Sequence, residues 1–357
     1  MTFMEKNGRG KAKKSADRRE RDDSDNGAAV QEIRMKKLAT IEGYLDHHPV
    51  RMRYPDMAVE TMERPTTMAG MVWFAAKIVL FSDYDGFFAE GTRQIFFMSL
   101  FKWLFAKKII LVCRPRLKAP PSGLLSYLKE WLKTRVFKMG VDHFIVISTS
   151  EIEAYHTHWG ISKEKMTYVP FKVNSADSLA ELETGDEEFI YSGGTSLRDY
   201  KTLFEAIKGL DIQVKVVTNR DFDKESIPRN AHIIHNSGTI SEFYAPCARA
   251  RFSVFPIESG YIRSAGQGSY LGAMFLGKAV IVSDTPGVRD IIDDGVNGLV
   301  VPPDNAPLLR EKIIALWEDN DLRNRLGETA KRQVREYYTH ERYIDNIYRV
   351  LRWALGV

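Results

Sequence analysis

The stretch that decides the fold runs from residue 251 to residue 304: RFSVF at 251–255 and then, from residue 264, SAGQGSYLGAMFLGKAVIVSDTPGVRDIIDDGVNGLVVPPD. Three short apolar segments in it, at 251–255, 279–282 and 298–301, predict strands, and an amphipathic helix separates the first two. Strands that alternate with helices in this way build a parallel sheet, so we expect an α/β protein.

A glycine-rich loop stands where this helix begins. The first N–H groups of a helix lack partners within it, and the helix dipole makes that end positive. Gly266 and Gly268 allow an anion to approach the backbone closely. The loop therefore predicts a diphosphate-binding turn, and the alternative is a capped helix start that binds nothing. The polar residues of the same loop, Ser264, Gln267 and Ser269, are also expected to bind the donor, Gln267 and Ser269 as neutral hydrogen-bond partners.

Two motifs in this stretch resemble a known family. Residues 271–287, LGAMFLGKAVIVSDTPG, are similar to the LEAMAxGxPVIxxxxxG signature of the family-four (group 1) glycosyltransferases. Residues 294–303, DGVNGLVVPP, are similar to the dGxNGxLVxP turn that follows it. From Phe189 to about Tyr343 the chain resembles the nucleotide-sugar-binding half of these enzymes. The resemblance implies a GT-B fold, in which two Rossmann-like domains face each other across a cleft.

On this basis we divide the chain into four parts. Residues 1–70 are expected to be a disordered or helical amino-terminal extension, because they are polar at first and then show helical spacing. A reduced Rossmann-like acceptor domain is expected at 71–175, and the nucleotide-sugar-binding domain at 186–339. Residues 340–357 are expected to form the helix that, in this family, crosses back to the first domain.

The candidate residues of the first domain follow its predicted strands. The apolar run KIVLF at 77–81 predicts one strand, and 109–113 predicts another. Ligands of open α/β sheets gather at the carboxyl ends of strands. We therefore expect four side chains on the acceptor side of the cleft: Asp83, Asp85, Arg114 and Arg116.

The loop after the first strand of the second domain carries the predicted catalytic cations. Gly193 and Gly194 let a ligand approach the backbone, and Arg198 and Lys201 follow them. The resemblance implies a basic pair in this loop, which stabilises the charge that grows on the diphosphate as the glycosidic bond breaks. The two cations stand closer together here than in the commoner family pattern. The alternative is a solvated helix start.

The chain departs from the family in its Glu-x7-Glu pattern, in which one glutamate lies near the donor sugar and the other accepts the ribose hydroxyls. The alignment places Ser264 and Gly272 at these positions, so both carboxylates are absent. Glu258 is the candidate catalytic replacement, and Thr285 is expected to line the donor pocket. In retaining enzymes of this class the leaving phosphate is thought to assist the incoming hydroxyl, so the departure does not exclude catalysis.

The cysteine and histidine content bears on the cellular compartment of the protein and on whether it binds a metal. The two cysteines, Cys113 and Cys247, are far apart, which favours a reducing, cytoplasmic compartment without a disulfide framework. His156 and His158 are two positions apart on a predicted helix and therefore point to different faces, so we do not expect them to bind a metal together. We expect no metal and no cofactor, with a nucleoside-diphosphate sugar as donor substrate. No nucleic-acid-binding module is recognised, so no nucleic-acid partner is expected.

A basic, aromatic segment predicts a further partner. The whole chain has a formal net charge of +4, but eleven Lys and Arg residues and a single Glu lie between Gly91 and Gly140. Such a segment is typical of peripheral contact with an anionic membrane, here its inner face. The alternative is that the aromatic residues are the buried faces of two Rossmann helices.

These features together predict a glycosyltransferase that moves a hexosyl or related unit from a nucleoside-diphosphate sugar to an acceptor hydroxyl on a glycan or lipid-linked glycan. Retention of configuration and independence of metal are expected. The first alternative is a catalytically silent GT-B protein that binds a nucleotide or acts as a scaffold in a membrane complex. The second is a sugar-nucleotide epimerase, which would need a carboxylate–histidine apparatus that is not found in the sequence.

Overall fold

Two parallel six-stranded sheets organise the protein. The computed structural model describes residues 34–91, 93–115, 117 and 123–357. Within this part, Met35–Val357 forms one compact unit, and every strand pair of both sheets is parallel. Parallel strands need crossover connections, which are supplied mostly by helices that cover the sheet faces. The result is two Rossmann-like domains.

The first domain has the strand order β2-β1-β3-β4-β5-β6. Its strands are β1 (Lys36–Thr40), β2 (Met57–Thr61), β3 (Gly86–Ala89), β4 (Ile110–Cys113), β5 (His143–Val146) and β6 (Met166–Tyr168). Its helices are α1 (Gly43–His47), α2 (Met68–Phe81), α3 (Arg93–Leu104), α4 (Leu124–Gly140) and α5 (Thr149–Trp159). A short helix, α6 (Ala176–Ala180), lies on the connection to the second domain.

The second domain has the strand order β12-β11-β10-β7-β8-β9. Its strands are β7 (Glu187–Gly193), β8 (Gln213–Val217), β9 (Ala231–Ile234), β10 (Ala250–Phe255), β11 (Val280–Ser283) and β12 (Leu299–Val301). Its helices are α7 (Tyr200–Ile207), α8 (Ile240–Arg249), α9 (Gln267–Phe275), α10 (Ala306–Glu318) and α11 (Asn320–Tyr337). The chain ends with α12 (His340–Leu355).

Each sheet has a point where the strand order reverses, and ligands of doubly wound folds bind at such points. In the second sheet this point lies between β7 and β10, so the glycine loop after β7 and the glycine-rich loop before α9 flank it. In the first sheet it lies between β1 and β3, which end close to Glu42 and Glu90.

The predicted amino-terminal extension needs correction. Residues 1–33 lie outside the described residues, but β1 and β2 are integral strands of the first sheet, so the predicted domain start at residue 71 is wrong. The predicted strand at 77–81 is also wrong, since it is the last part of α2. Thr67 caps α2 by accepting a hydrogen bond from the N–H of Gly70. A short apolar run does not distinguish a strand from a buried helix, and residues 77–81 form a helix.

The last helix belongs to the first domain's core. The side chains of Tyr343, Ile347 and Leu351 on α12 are buried with Leu38 and Phe88 of the first sheet. The Tyr348 hydroxyl donates a hydrogen bond of 2.8 Å to the carbonyl of Leu45. The chain therefore returns to the first domain after completing the second, as the resemblance implied.

Candidate functional site

A cavity of about 360 Å³ lies where the two domains meet. The first domain contributes Arg114, Glu151 and Phe171 to its wall, and the second contributes the two glycine loops. The described residues of these loops, and of the position just before the second, that line it are Gly194, Thr195, Ser196, Arg198, Arg263, Ser264, Ala265, Gly266, Gln267, Gly268 and Ser269. Most of the residues predicted to bind the donor are therefore brought together.

Arg198 is a buried cation in this wall, with only 3% of its surface exposed. Its guanidinium donates hydrogen bonds to the carbonyls of Gly193 and Ser196, both at 3.0 Å, and to Ser269 Oγ at 2.9 Å. Among the described residues the ionisable groups with the largest effect on it are tyrosines, not carboxylates, and burial lowers the pKa of Arg198. A buried charge without a counter-ion costs several kcal/mol, and an anionic ligand would offset that cost.

The glycine-rich turn beside Arg198 contains a buried oxygen that has no hydrogen-bond partner among the described residues. Gly266 caps α9 with a φ of +79°, a conformation that favours glycine, and a Cβ there would lie 3.3 Å from Arg198 Nη1. Gln267 is 4% exposed and donates through Nε2 to the carbonyl of Ile147 at 2.9 Å. Its Oε1 is buried and has no hydrogen-bond partner among the described residues. A ligand hydroxyl in the cavity would satisfy this oxygen.

The two glycines after β7 have different roles. Gly194 lines the cavity with a φ of +124°, and a Cβ there would lie 2.6 Å from Arg198 Nη2. A Cβ on Gly193 would lie 2.0 Å from the Tyr191 hydroxyl oxygen. Gly193 is therefore required by packing, and it serves the site through the carbonyl that accepts from Arg198.

The predicted cation pair is not formed. Lys201 is exposed and lines a different, outer groove of about 960 Å³ on the second domain, although Arg198 borders that groove too. Glu258 also lines the groove, where it forms an ion pair of 3.1 Å with Arg220. The expectations that Lys201 binds the diphosphate and that Glu258 replaces the missing family carboxylate are therefore wrong, because the start of α7 and the segment after β10 direct both side chains into the outer groove.

Two further donor predictions have different outcomes. Thr285 is not among the described residues that line the cavity, and its hydroxyl faces the carbonyl of Ser283 at 3.4 Å. Ser264 does line the cavity, and its N–H and Oγ both donate to Oε1 of Glu151, at 2.9 and 3.0 Å. Burial raises the pKa of Glu151, although the hydrogen bonds from Ser264 and Ile147 oppose that effect.

The first domain contains a buried ion pair, and its arginine, Arg114, lines the cavity. Arg114 follows β4 and forms an ion pair with Glu90, which follows β3. Glu90 also accepts hydrogen bonds from the hydroxyls of Tyr44, at 2.6 Å, and Tyr343. Burial alone would raise the pKa of Glu90, but the Arg114 charge and these hydroxyls hold it below its ordinary value. Glu90 is thus an ionised anchor for Arg114.

The remaining acceptor-side predictions do not hold. Asp83 and Asp85 precede β3, so they lie at the amino edge of the sheet rather than at the cleft. Both are near lysines there: Lys37 forms an ion pair with Asp83, and Lys36 with Asp85 at 3.7 Å. Arg116 lies outside the described residues. The error follows from the assignment of 77–81 to a strand.

Sequence reasoning missed three residues of the site. Glu151 stands at the start of α5, and the only signal was its place after a predicted strand. Arg263 directly precedes the glycine-rich loop and lines the cavity; no ion pair to it is found among the described residues. Glu90 was missed because β3 was placed too early in the chain. In the described part of the chain, no group of three or more His, Cys, Asp or Glu side chains is arranged to hold a metal.

Helix α4 carries an exposed apolar surface on the first domain. Its acid Glu130 is paired with Lys133, whereas Lys129, Arg135 and Lys138 are exposed. The alternative of buried aromatics therefore holds only in part: Phe137 is buried, but the α4 surface is open. None of the described helices is both long and apolar enough to cross a bilayer. The exposed apolar residues of this α4 surface are Leu124, Leu125, Tyr127, Leu128, Trp131 and Leu132.

Two Rossmann-like domains whose loops at the carboxyl ends of the strands enclose a shared cavity define a GT-B fold. A structure of Anabaena Alr3699/HepE in complex with UDP superposes with a TM-score of 0.65 over 89% of this chain and 99% of that chain, at 14% identity. The predicted GT-B fold is confirmed.

The second domain matches a known family model. Residues 229–333 match the family model for "Glycosyl transferases group 1", and the predicted resemblance is confirmed. The chain is 30% identical over 103 residues to the uncharacterized glycosyltransferase MJ1069 of Methanocaldococcus jannaschii, a match that covers 29% of this chain and 26% of the relative. It is 26% identical over 211 residues to the O-antigen chain mannosyltransferase C of Escherichia coli, covering 53% of this chain and 56% of the relative. These matches span between about a quarter and just over half of the curated relatives' lengths.

Proposed function

We propose that this chain is a glycosyltransferase that takes a nucleoside-diphosphate sugar as donor and transfers the sugar to an acceptor hydroxyl. The observation that carries the proposal is the buried Arg198 guanidinium, which touches the Gly266–Ser269 turn and has no carboxylate counter-ion among the described residues. A diphosphate supplies the missing negative charge, and the free N–H groups at the start of α9 supply further donors to it.

The relatives support this donor class. The Escherichia coli relative is named a mannosyltransferase, and structures of the Anabaena neighbour were solved with UDP and with UDP-glucose. A relative from Campylobacter jejuni, 36% identical over 87 residues, is named for transfer of N-acetylgalactosamine to a diphospho-undecaprenol-linked sugar. We infer a glycan or lipid-linked glycan as acceptor from these names.

The chemistry we propose needs no side-chain nucleophile. As the bond from the anomeric carbon to the phosphate oxygen breaks, charge grows on the diphosphate, and Arg198 and Arg263 stabilise it. The acceptor hydroxyl attacks from the same face and gives its proton to the departing phosphate oxygen, which retains the configuration. The carboxylate among the described lining residues, Glu151, is already engaged by three hydrogen-bond donors. Because arginines supply the positive charge, we further propose that the reaction does not need a metal ion.

We propose that the first domain binds the acceptor. Arg114 lines the cavity and is held by the ionised Glu90, so its free N–H groups are pre-oriented toward the acceptor.

A thermal-shift screen with UDP, GDP, ADP and CMP tests donor binding, and hydrolysis of sugars linked to the best nucleotide tests turnover. The proposed enzyme is stabilised by at least one nucleotide and hydrolyses its sugar conjugate slowly. The second candidate, a catalytically silent GT-B protein, is favoured by the absence of both family glutamates at Ser264 and Gly272. It predicts stabilisation without hydrolysis or transfer. No stabilisation by any nucleotide would contradict both candidates.

We propose, finally, that the α4 surface contacts an anionic membrane. Exposed apolar side chains beside Lys129, Arg135 and Lys138 combine insertion with attraction to anionic lipid. Flotation should be stronger with phosphatidylcholine vesicles that contain phosphatidylglycerol than with phosphatidylcholine alone. Leu125→Ser with Leu128→Ser should abolish it. Met52→Ser, at an exposed apolar residue between α1 and β2, should not change it, and equal loss in both variants would refute the proposal.

A further inference from the structure

A carboxylate of the first domain accepts hydrogen bonds from the glycine-rich loop of the second domain, which is called the donor loop below. Oε1 of Glu151, on α5 of the first domain, accepts from the N–H and the hydroxyl of Ser264 in the second domain. Oε2 accepts from the N–H of Ile147 at 3.2 Å, which fixes the carboxylate against its own helix start. Glu151 is only 4% exposed, and it lines the cavity.

The residue that Glu151 contacts is the one at which the chain departs from its family. The alignment puts the first glutamate of the Glu-x7-Glu pattern at Ser264. The second domain therefore lacks this carboxylate, but Glu151 of the first domain places one beside the same position, with Oε1 3.0 Å from Ser264 Oγ. A glutamate at position 264 would bring two carboxylates together in a buried place, where they could not both be ionised. Serine at 264 and glutamate at 151 therefore fit each other.

The second missing glutamate has no such replacement. A Cβ on Gly272 would lie 2.4 Å from ring atoms of Tyr244, which fills the space beside α9. The Tyr244 hydroxyl donates to the carbonyl of Gly268 at 2.7 Å. Two side chains thus hold the donor loop: Tyr244 of the second domain, through the carbonyl of Gly268, and Glu151 of the first domain, through Ser264. Neither side chain stands at position 264 or 272, where the family has its glutamates.

We propose that Glu151 is the positioning carboxylate of the donor loop: it holds Ser264, and through it the Gly266–Ser269 turn, in the conformation that receives the donor diphosphate. This inference rests on the proposed function for its substrate, but the loop order that it predicts exists without ligand. Because the carboxylate comes from the first domain, the donor loop is complete only when the two domains are docked.

The test separates the donor loop from the rest of the domain contact. Glu151→Gln keeps the side-chain shape, but an amide brings N–H groups against partners that are themselves donors. Thr149→Val is the matched control: it removes the hydrogen bond from Thr149 Oγ1 to Asp290 in the same domain contact and leaves the donor loop untouched. The swapped pair Glu151→Ser with Ser264→Glu returns the carboxylate to the family position.

Two readouts are measured on the full chain. Hydrogen exchange of the unliganded protein should quicken at the amides of 264–269 in Glu151→Gln but not in Thr149→Val. With the best nucleotide and its sugar conjugate, Glu151→Gln should lower kcat/KM for donor hydrolysis tenfold or more, the scale of one charged hydrogen bond, and Thr149→Val less than threefold. The swapped pair should recover most of the activity lost by Glu151→Ser alone.

The possible outcomes are distinguishable. Equal losses in Glu151→Gln and Thr149→Val, or no recovery in the swapped pair, would show that Glu151 only joins the domains, and would overturn the inference while the proposed function stands. Unchanged exchange at 264–269 in Glu151→Gln would overturn it as well. Faster exchange in a protein that binds no nucleotide would instead uphold the positioning role and refute the proposed function.

Discussion

Replacement of Arg198 by methionine gives the sharpest test of the donor site. The variant keeps a long side chain of similar reach but removes the charge and every N–H donor. The structure uses three of the five guanidinium N–H groups, on Gly193, Ser196 and Ser269, which leaves two for a ligand. A hydrogen bond to a charged group contributes about 1.5–3 kcal/mol.

The expected loss is therefore about 3 kcal/mol of diphosphate affinity, or roughly a hundredfold in Kd. The free energy of unfolding should change much less. On the same scale, loss of the three internal hydrogen bonds costs at least about 4.5 kcal/mol, but removal of a buried cation without a counter-ion recovers several kcal/mol and offsets most of that cost. A merely structural arginine would show the reverse pattern, with lost stability and unchanged affinity.

Isothermal titration with the best nucleoside diphosphate measures the first quantity, and urea unfolding the second. The corresponding nucleoside, followed by ligand-observed NMR, is the ligand control, because it lacks phosphate and should bind both proteins alike. Lys201→Met is the variant control, since Lys201 is exposed in the outer groove, and should change diphosphate affinity less than threefold. The reasoning is refuted if nucleoside and diphosphate weaken equally in Arg198→Met, or if Lys201→Met has the larger effect.

Three further predictions concern other parts of the molecule. Gly272→Ala should lower the free energy of unfolding by about 1–3 kcal/mol in urea titration, because its Cβ would meet the Tyr244 ring at 2.4 Å; an unchanged midpoint would contradict the tight packing. Since no carboxylate stands at position 272 to accept the ribose hydroxyls, the 2′-deoxy form of the best nucleotide should bind within about threefold of the ribose form by titration, a difference below the scale of one hydrogen bond. A loss of tenfold or more would reveal another ribose contact. Burial and the nearby Lys165 lower the pKa of His143 to about 4, so the folded state keeps this histidine neutral while the unfolded state protonates near pH 6.5. Its stabilising contribution is present above that pH and is lost as pH falls toward 4, by about 2 kcal/mol between pH 7 and pH 5. His143→Gln should lack this part of the acid sensitivity in urea unfolding, and parallel pH curves for the two proteins would count against it.

The second domain was predictable because its strands are separated by glycine and polar turns. The loop at 264–269 was recognisable from the residues themselves, since closely spaced glycines at a helix start have few other uses. Arg198 was predicted as a cation for the diphosphate, and its side chain does reach the turn. Lys201 was predicted by the same spacing argument, which gives no account of where the first turn of α7 directs a side chain.

The first domain was less predictable for two physical reasons. Its first strand, β1, has five residues, and the spacing of Leu38 and Ile41 around it imitates a helix. The apolar run at 77–81 was continuous and suited either state, so tertiary packing of α2 decided the outcome. One wrong strand then moved Asp83 and Asp85 to the wrong edge of the sheet.

Residues that work across the cleft are the hardest to foresee. Glu151 and Ser264 are separated by 113 positions, and neither carries a local signal for the other. The same holds for Tyr343, on the last helix, whose hydroxyl donates to Glu90 at a separation of 253 positions. The first domain thus holds the second domain's donor loop through Glu151. The helix that follows the second domain, in turn, holds Glu90 and thereby Arg114 on the acceptor side. Each half of the site depends on a residue from outside its own sheet, so separately expressed domains would each present an incomplete site.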